Sequence, residues 1–110
     1  MKAILQRVSS SKVSVENKVI GQINRGLNIL LGIGQEDEMS IVPKFVEKIV
    51  NLRIFADEIG KMNKSILDIK GEILLISQFT LYADVSGGRR PSFTKAASPE
   101  KAKAIYEQVI

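Results

Sequence analysis

The segment LNILLGIG, residues 27–34, constrains the fold most strongly because it is apolar almost without interruption. A half-exposed strand alternates apolar and polar residues, whereas a run of this kind is typical of a strand covered on both faces. The turn signal Asn24-Arg25-Gly26 comes directly before it. We therefore predict a central strand at 27–34, with other strands beside it and helices packed over the sheet.

Shorter strands are predicted on either side of this run from alternating residues and turn signals. They lie at 2–8, 12–16, 18–23 and 52–56, followed by a turn at 57–60 and a hairpin whose turn is Lys70-Gly71. Because antiparallel strands outnumber helices, the predicted fold class is α/β. It is a mostly antiparallel curled sheet or barrel with two amphipathic helices packed outside.

The two helices are recognised by their first residues and by one apolar face each. The first is predicted to have Ser40 as its cap and Pro43 in its first turn, and the second has Ser98 as cap and Pro99 at its first position. The residues predicted to be buried are Val42, Phe45, Val46, Ile49 and Val50 in the first helix, and Ala102, Ile105, Tyr106 and Val109 in the second.

The 110 residues fit a single domain, 1–110. A charged fraction of 25% and an apolar fraction of 45% are ordinary for a soluble globular protein, and no apolar run reaches 18 residues. We expect a cytosolic protein. Since the second helix runs to Ile110 without a stop signal, we also expect the domain to be incomplete at its C-terminus.

The chain contains no histidine and no cysteine. Schemes that pair serine or cysteine with histidine are therefore excluded within the chain, as are histidine-ligated metals and the usual zinc sites. Asp57, Glu58, Asp68 and Asp84 are scattered near turns, which argues against a metal or paired-carboxylate site. Any catalysis would depend on backbone donors, hydroxyls and groups of the substrate.

The segment SQFTL, residues 77–81, follows the apolar run EILLI and ends a core strand with polar side chains. One interpretation is structural: strand alternation would bury Phe79 and Leu81 and expose Gln78 and Thr80. The other is that these polar groups line a site. Arg7 leaves a similar choice, because an arginine in an apolar strand either lies at an edge in water or meets a carbonyl or anionic partner.

Positive charge is concentrated after SQFTL. Residues 85–110 hold five basic and two acidic side chains, against 11 and 10 in residues 1–84, and the net charge is +4. A glycine pair followed by Arg89 and Arg90 is suited to phosphate contacts, although a solvated basic loop has the same composition. Gly32 and Gly34 do not form a dinucleotide-binding loop, since a third glycine and a following helix start are missing.

Several segments together resemble the D-aminoacyl-tRNA deacylase family, formerly called D-tyrosyl-tRNA deacylases. In chain order they are MKAILQRVSSSKVSVE, LLGIG, LRIFADEIGKMNKSI, LLISQFTLYAD, GRRPSF and ASPEKAKAIYE. The resemblance covers the whole chain, and SQFTL followed by RPSF at this spacing is its most specific part.

The resemblance implies a homodimeric cytosolic hydrolase that cleaves the ester between a D-amino acid and the terminal adenosine of tRNA. It implies no metal or other cofactor, and neither a membrane nor DNA as a partner. In the family the SQFTL segment lines the pocket for the aminoacyl end, so Ser77, Gln78, Phe79 and Thr80 become the candidate catalytic residues. Arg7 and Met62 become candidates for substrate binding, and Arg89, Arg90 and Lys95 for tRNA binding.

Two questions about this reaction stay open at the level of sequence. In one mechanism Thr80 is the nucleophile. In the other, Thr80 only lines the pocket, and the 2′-hydroxyl of the substrate assists attack by water. The second is favoured because the chain offers no base that could deprotonate Thr80 efficiently. Family members also carry a C-terminal Gly-Pro motif that this chain lacks. We therefore expect weak tRNA binding and impaired D-specific hydrolysis by these 110 residues alone, and the alternatives are a non-catalytic RNA-binding module or an inactive structural fragment.

Overall fold

A computed structural model describes residues 1–110, which form seven strands and two α-helices. The strands are β1 (Lys2–Val8), β2 (Ser11–Val15), β3 (Lys18–Ile23), β4 (Gly26–Gly32), β5 (Phe55–Ala56), β6 (Met62–Lys64) and β7 (Glu72–Ser77). The helices are α1 (Val42–Asn51) and α2 (Pro99–Val109), and short 3₁₀ turns occupy Met39–Ile41 and Phe79–Tyr82. Neither helix is long and apolar enough to cross a lipid bilayer.

β4 is the central strand, as its apolar sequence predicts. The main sheet has the order β1-β4-β7, in which β1 is antiparallel to β4 and β7 is parallel to it. Leu27, Ile29 and Leu31 are at most 2% exposed. Two smaller antiparallel sheets pair β2 with β3 and β5 with β6. The mixed α/β fold with mostly antiparallel pairing and two helices is thus confirmed.

The core joins the helices to β4 in two adjoining clusters of buried residues. One contains Leu27, Ile29, Ile49, Phe55 and Ile66, and the other contains Leu31, Ile33, Val42 and Ile105. The predicted apolar faces of both helices therefore point into the core. α2 is also fixed by a polar contact, because the Tyr106 hydroxyl donates a hydrogen bond to the Leu75 carbonyl of β7 at 2.9 Å.

The predicted helix starts are partly confirmed. Ser98 caps α2, since its hydroxyl accepts a hydrogen bond from the Lys101 N–H at 3.3 Å, and Pro99 is the first helical residue. The prediction that Ser40 caps α1 is wrong. A 3₁₀ turn at Met39–Ile41 extends the helix toward its N-terminus, so Ile41 takes the cap position without a side-chain hydrogen bond. Pro43 lies in the first turn of α1 as predicted.

The predicted hairpin at Lys70-Gly71 is also wrong, and the strand predicted at 52–56 shortens to β5. The Gly71 N–H bonds to the Ile66 carbonyl at 3.0 Å, which closes a turn after β6. The Glu72 N–H then bonds to the Arg25 carbonyl at 3.1 Å, which starts β7 beside β4 and parallel to it. β6 pairs with β5 instead, across the predicted turn at 57–60.

Gly26 allows β4 and β7 to approach closely at the start of their pairing. A Cβ atom at this buried position would lie 1.8 Å from the Glu72 carbonyl oxygen, so an alanine would force the two backbones apart. We expect Gly26→Ala to lower the free energy of unfolding by about 3 kcal/mol, at the upper end of overpacking costs. Urea titration followed by circular dichroism measures this change.

Gly87→Ala is the matched control for that substitution. Gly87 is exposed, and a Cβ there would meet nothing within 4 Å. The free energy of unfolding of the Gly87→Ala variant should stay within about 0.5 kcal/mol of the value for the unsubstituted protein. Equal stabilities for the two alanine variants would show that the β4–β7 contact does not limit stability.

Candidate functional site

The segment from Ser77 to Tyr82 leaves β7 and turns sharply across the end of β4. Ser77 is the last residue of β7, and the Gln78 N–H donates a hydrogen bond to the Leu31 carbonyl at 2.7 Å. The 3₁₀ turn at Phe79–Tyr82 follows, so strand alternation stops at this point. The structural interpretation that buried Phe79 as a strand residue is therefore wrong, because its side chain is 57% exposed.

Two glycines, the last residue of β4 and the second residue after it, make room for this turn. A Cβ atom on Gly32 would lie 2.9 Å from the Leu81 Cβ and 3.2 Å from the Gln78 carbonyl oxygen. A Cβ on Gly34 would lie 2.9 Å from the ring of Tyr82. The glycines of LLGIG are therefore explained by packing against the 79–82 turn.

The side chains of Gln78 and Thr80 bond to each other, and neither forms a hydrogen bond with an ionisable group. The Gln78 amide donates a hydrogen bond to the Thr80 hydroxyl oxygen. No carboxylate or amine is hydrogen-bonded to Thr80, so nothing beside it can accept its proton. The arrangement can present hydrogen-bond donors and fix a bound group, but it lacks an activated nucleophile of the usual kind.

A cavity of about 510 Å³ opens beside this segment, between the 79–82 turn, the loop before α2 and the first turns of α2. We call it the Phe79–Phe93 cavity, because the two rings meet there edge to face with centroids 5.1 Å apart and an interplanar angle of 69°. Ser77, Pro99, Ala102, Lys103 and Tyr106 are among its other lining residues. The cavity is mainly apolar, with one cationic group in its wall.

Asp37 holds the far end of the 79–82 turn. Its two carboxylate oxygens lie 2.7 and 2.6 Å from the α-amino nitrogen of Met1, and it accepts a hydrogen bond from the Gly34 N–H at 2.7 Å. The Tyr82 hydroxyl donates to the same carboxylate at 3.4 Å. These contacts tie the N-terminus, the turn after β4 and the 79–82 turn together.

The same contacts shift two pKa values. Burial by itself would raise the pKa of Asp37, but hydrogen bonds from Met1 and Gly34 and the charge of the amine outweigh it, so the pKa is lowered. Burial, followed by the charge of Asp37 and their hydrogen bond, raises the pKa of Tyr82. Asp37 is thus held as a carboxylate and Tyr82 as a neutral phenol.

Arg7 lies toward the other end of the main sheet, and Met62 lies in the separate β5–β6 sheet. Arg7 is opposite Leu27 in the β1–β4 register and donates a hydrogen bond to the Ile54 carbonyl at 3.1 Å. Ser77 is beside Leu31, four β4 positions further on, which corresponds to about 13 Å along the strand. Met62 is 63% exposed in β6. Within one chain, these two residues are therefore not brought together with the segment from Ser77 to Thr80.

The predicted tRNA-binding residues lie in the connection between the 79–82 turn and α2. Backbone hydrogen bonds of 2.7 Å in both directions join Asp84 and Ser92 and close a loop that carries Arg89 and Arg90, both exposed. Lys95 follows, and its carbonyl accepts a hydrogen bond from the Gln35 N–H at 2.9 Å. None of the three cations forms a salt bridge.

Phe93, Lys103 and Asp37 are candidate site residues that the sequence did not single out. Phe93 belongs to RPSF and follows two arginines, so an aromatic residue within a basic stretch was the available signal. Lys103 lies on the polar side of a helix and had no signal of its own. Asp37 is one of three acidic residues in a turn, and only the folded chain brings it to Met1 and Tyr82.

We expect Asp37→Asn to destabilise the protein by about 1–3 kcal/mol at pH 7, because an ion pair and a charge-assisted hydrogen bond are weakened. The native pKa of Asp37 is below its unfolded value of about 3.9. The stability that the ionised Asp37 carboxylate contributes is therefore complete above the unfolded pKa, and it is lost as the pH falls through the native pKa.

Thermal unfolding between pH 7 and pH 3 measures this effect. The difference between Asp37→Asn and the unsubstituted protein should be largest near neutrality and should shrink below about pH 4. Glu36→Gln removes the exposed neighbouring carboxylate and serves as the control, with little expected change. A difference that stays constant down to pH 3 would contradict the assigned role of the Asp37 charge.

Comparison with known proteins gives a family match over nearly the whole chain. The model of the family described as D-Tyr-tRNA(Tyr) deacylase matches residues 4–110. Proteins named D-aminoacyl-tRNA deacylase from Clostridium kluyveri and Aquifex aeolicus are each 56% identical over 110 residues. Each match covers 100% of this chain and 74% of the relative, so the chain spans about three quarters of their length.

Two solved structures share the fold. One, described as "c-Myc DNA Unwinding Element Binding Protein", has a TM-score of 0.92 and 44% identity and covers 99% of this chain and 73% of that chain. The other, a probable eukaryotic D-amino acid tRNA deacylase, has a TM-score of 0.84 and 18% identity and covers 97% and 63%. At 18% identity, the second structure supports only the assignment of the fold.

Proposed function

The chain belongs to the D-Tyr-tRNA(Tyr) deacylase family, and we propose that it is an editing hydrolase that cleaves the ester linking a D-amino acid to the terminal adenosine of tRNA. The observation that carries the proposal is the match over residues 4–110, which includes the complete SQFTL segment at the edge of an open cavity. The relatives' names supply the reaction class, and the geometry of this chain supports the 77–82 segment as the site of the reaction.

The 77–82 segment is suited to stabilising an ester undergoing attack by water. The N–H groups of Phe79 and Thr80 begin a 3₁₀ turn, where the first N–H groups have no partner within the turn. Donors fixed in this way can bind the negative charge that develops on the ester oxygen. The side chain of Ser77 and the hydrogen-bonded side chains of Gln78 and Thr80 add further polar groups to this segment.

We assign activation of the water to the substrate and not to Thr80. Thr80 accepts a hydrogen bond from Gln78 and has no base beside it, and the chain lacks histidine and cysteine. The 2′-hydroxyl next to the esterified oxygen of the terminal ribose can assist attack once the substrate is positioned. No metal or other cofactor enters this proposal.

Thr80→Ala tests this assignment. Loss of a covalent nucleophile would lower kcat by several orders of magnitude, whereas loss of a wall hydroxyl should lower it by about tenfold or less, roughly 1.4 kcal/mol on the barrier. Substrate ending in 2′-deoxyadenosine should be hydrolysed far more slowly than normal substrate by both proteins. Full activity on the 2′-deoxy substrate would refute the assisted mechanism.

The rival interpretation is a non-catalytic RNA-binding module, which the basic segment at residues 85–103 would permit. The same assay separates the two functions. Binding of D-aminoacyl-tRNA without release of the amino acid, at saturating protein, would favour the binding module over the hydrolase.

We infer that Arg89, Arg90 and Lys95 contact tRNA phosphates. The two arginines are exposed on a loop after two glycines, and none of the three is neutralised by a carboxylate. Phosphate contacts chiefly set affinity and its dependence on salt. This role is separate from the chemistry at the 77–82 segment.

Replacing both Arg89 and Arg90 with alanine should raise KM for aminoacyl-tRNA and leave kcat nearly unchanged. The slope of log affinity against log salt should become shallower by about 0.7–0.9 for each phosphate that the variant no longer neutralises. Lys44→Ala with Lys48→Ala removes the same charge from the exposed face of α1 and is the matched control. A large fall in kcat at constant KM would refute the phosphate role.

We also propose a cytoplasmic homodimer in which Arg7 and Met62 contribute to substrate binding. Their separation from the 77–82 segment within one chain favours a contribution across the subunit interface. Exposed apolar residues of the β2–β3 hairpin support association, since Val15, Val19 and Ile20 are 53%, 50% and 66% exposed.

A further inference from the structure

Lys2, the first residue of β1, places its charged end against the 79–82 turn. Its Nζ atom donates a hydrogen bond to the Leu81 carbonyl at 3.4 Å and lies over the Tyr82 ring, 4.7 Å from the ring centroid. Lys2 forms no salt bridge. Both groups that the ammonium meets therefore belong to the turn that carries the proposed backbone donors.

The register of β1 brings Lys2 to this place. Lys2 lies opposite Gly32, the last residue of β4, in the antiparallel pairing of the two strands. Side chains directly opposite each other in such a pair lie on the same face of the sheet. Gly32 has no side chain, and a Cβ atom there would lie only 2.9 Å from the Leu81 Cβ. Leu81 thus fills the space beside Lys2 that a larger residue at position 32 would take.

Tyr82 is held from three directions. Its ring packs against Gly34, where an added Cβ would lie 2.9 Å away, and its hydroxyl donates to Asp37 at 3.4 Å. The Lys2 ammonium lies over the ring, whose face attracts a cation. Because Tyr82 is the last residue of the 3₁₀ turn, these contacts fix the end of the turn relative to β1 and β4.

We propose that Lys2 is a positioning residue for ester hydrolysis, acting through Leu81 and Tyr82 on the backbone donors at the start of the same turn. This inference rests on the proposed function, which places the reacting ester at the N–H groups of Phe79 and Thr80. The turn is four residues long, so a displacement of its end also moves its first residues. Since a misplacement of about 1 Å can lower a rate about 100-fold, a contact remote from the ester has a measurable effect on kcat.

Substitutions of Lys2 test the proposal. Lys2→Met keeps an unbranched side chain and removes the charge, whereas Lys2→Arg keeps a cation. We expect Lys2→Met to lower kcat for D-aminoacyl-tRNA about tenfold at nearly constant KM, because the donors act on the transition state. Lys2→Arg should stay within about threefold of the unsubstituted protein, since it retains the cation over the ring. Lys12→Met, at an exposed lysine of β2, is the matched control and should leave both constants unchanged.

A second measurement does not depend on hydrolysis. The Leu81 N–H bonds to the Gln78 carbonyl at 3.4 Å, and the Ala83 N–H bonds to the Thr80 carbonyl at 3.0 Å. Amide hydrogen exchange followed by NMR reports how often these bonds open. Exchange at both amides should be about fivefold faster in Lys2→Met and unchanged in Lys2→Arg and Lys12→Met. Thermal unfolding confirms that each variant is folded.

The outcomes separate this inference from the proposed function. Faster exchange in Lys2→Met, in a protein that releases no amino acid, supports the contact of Lys2 with the turn and overturns the hydrolase assignment. Unchanged exchange, or faster exchange in an active variant with unchanged kcat, overturns the positioning role alone. A raised KM with a shallower dependence on salt, at constant kcat, would make Lys2 a phosphate contact and would also overturn the proposal.

Discussion

The parallel pairing of β4 with β7 determines where the rest of the structure, including the site, is placed. The pairing begins where Gly26 lets the backbone of Glu72 approach and ends at Leu31 and Ser77. One further hydrogen bond, from the Gln78 N–H to the Leu31 carbonyl, fixes the point at which the chain leaves the sheet. The position of the candidate site is therefore set by strand register, and a shift of one residue would turn every side chain of β7 to the other face.

A site without charged catalytic groups depends on how firmly its backbone is held. The 77–82 segment is anchored at its start through Gln78 and at its end through Tyr82, which bonds to the Asp37 carboxylate. Asp37 is itself held by Met1 and Gly34. Donors that are fixed before the substrate arrives need no reorganisation during the reaction, which is the main source of electrostatic stabilisation in enzymes.

Local signals in the sequence predicted the elements whose cause is local. The apolar run of β4, the Ser98 cap and the apolar helix faces each follow from residues close together in the chain, and all three are confirmed. The parallel partner of β7 could not be predicted in this way, because Glu72 joins Arg25 across 47 positions of sequence. The Phe79–Phe93 cavity has the same origin, since its walls come from two distant parts of the chain, residues 77–79 and 93–106.

The predicted site likewise depends partly on neighbouring residues and partly on residues that are distant in the sequence. SQFTL was recognised as one continuous stretch, but its turn into a 3₁₀ helix depends on the space that Gly32 and Gly34 leave at the end of β4. Holding the adenosine at that turn would give the protein most of what ester hydrolysis requires. Correct placement of reacting groups is worth about 7–11 kcal/mol in favourable cases, which is comparable to much of an enzyme's total effect. If the substrate's own 2′-hydroxyl assists the attack of water on the ester, the chain needs no histidine, cysteine or paired carboxylates.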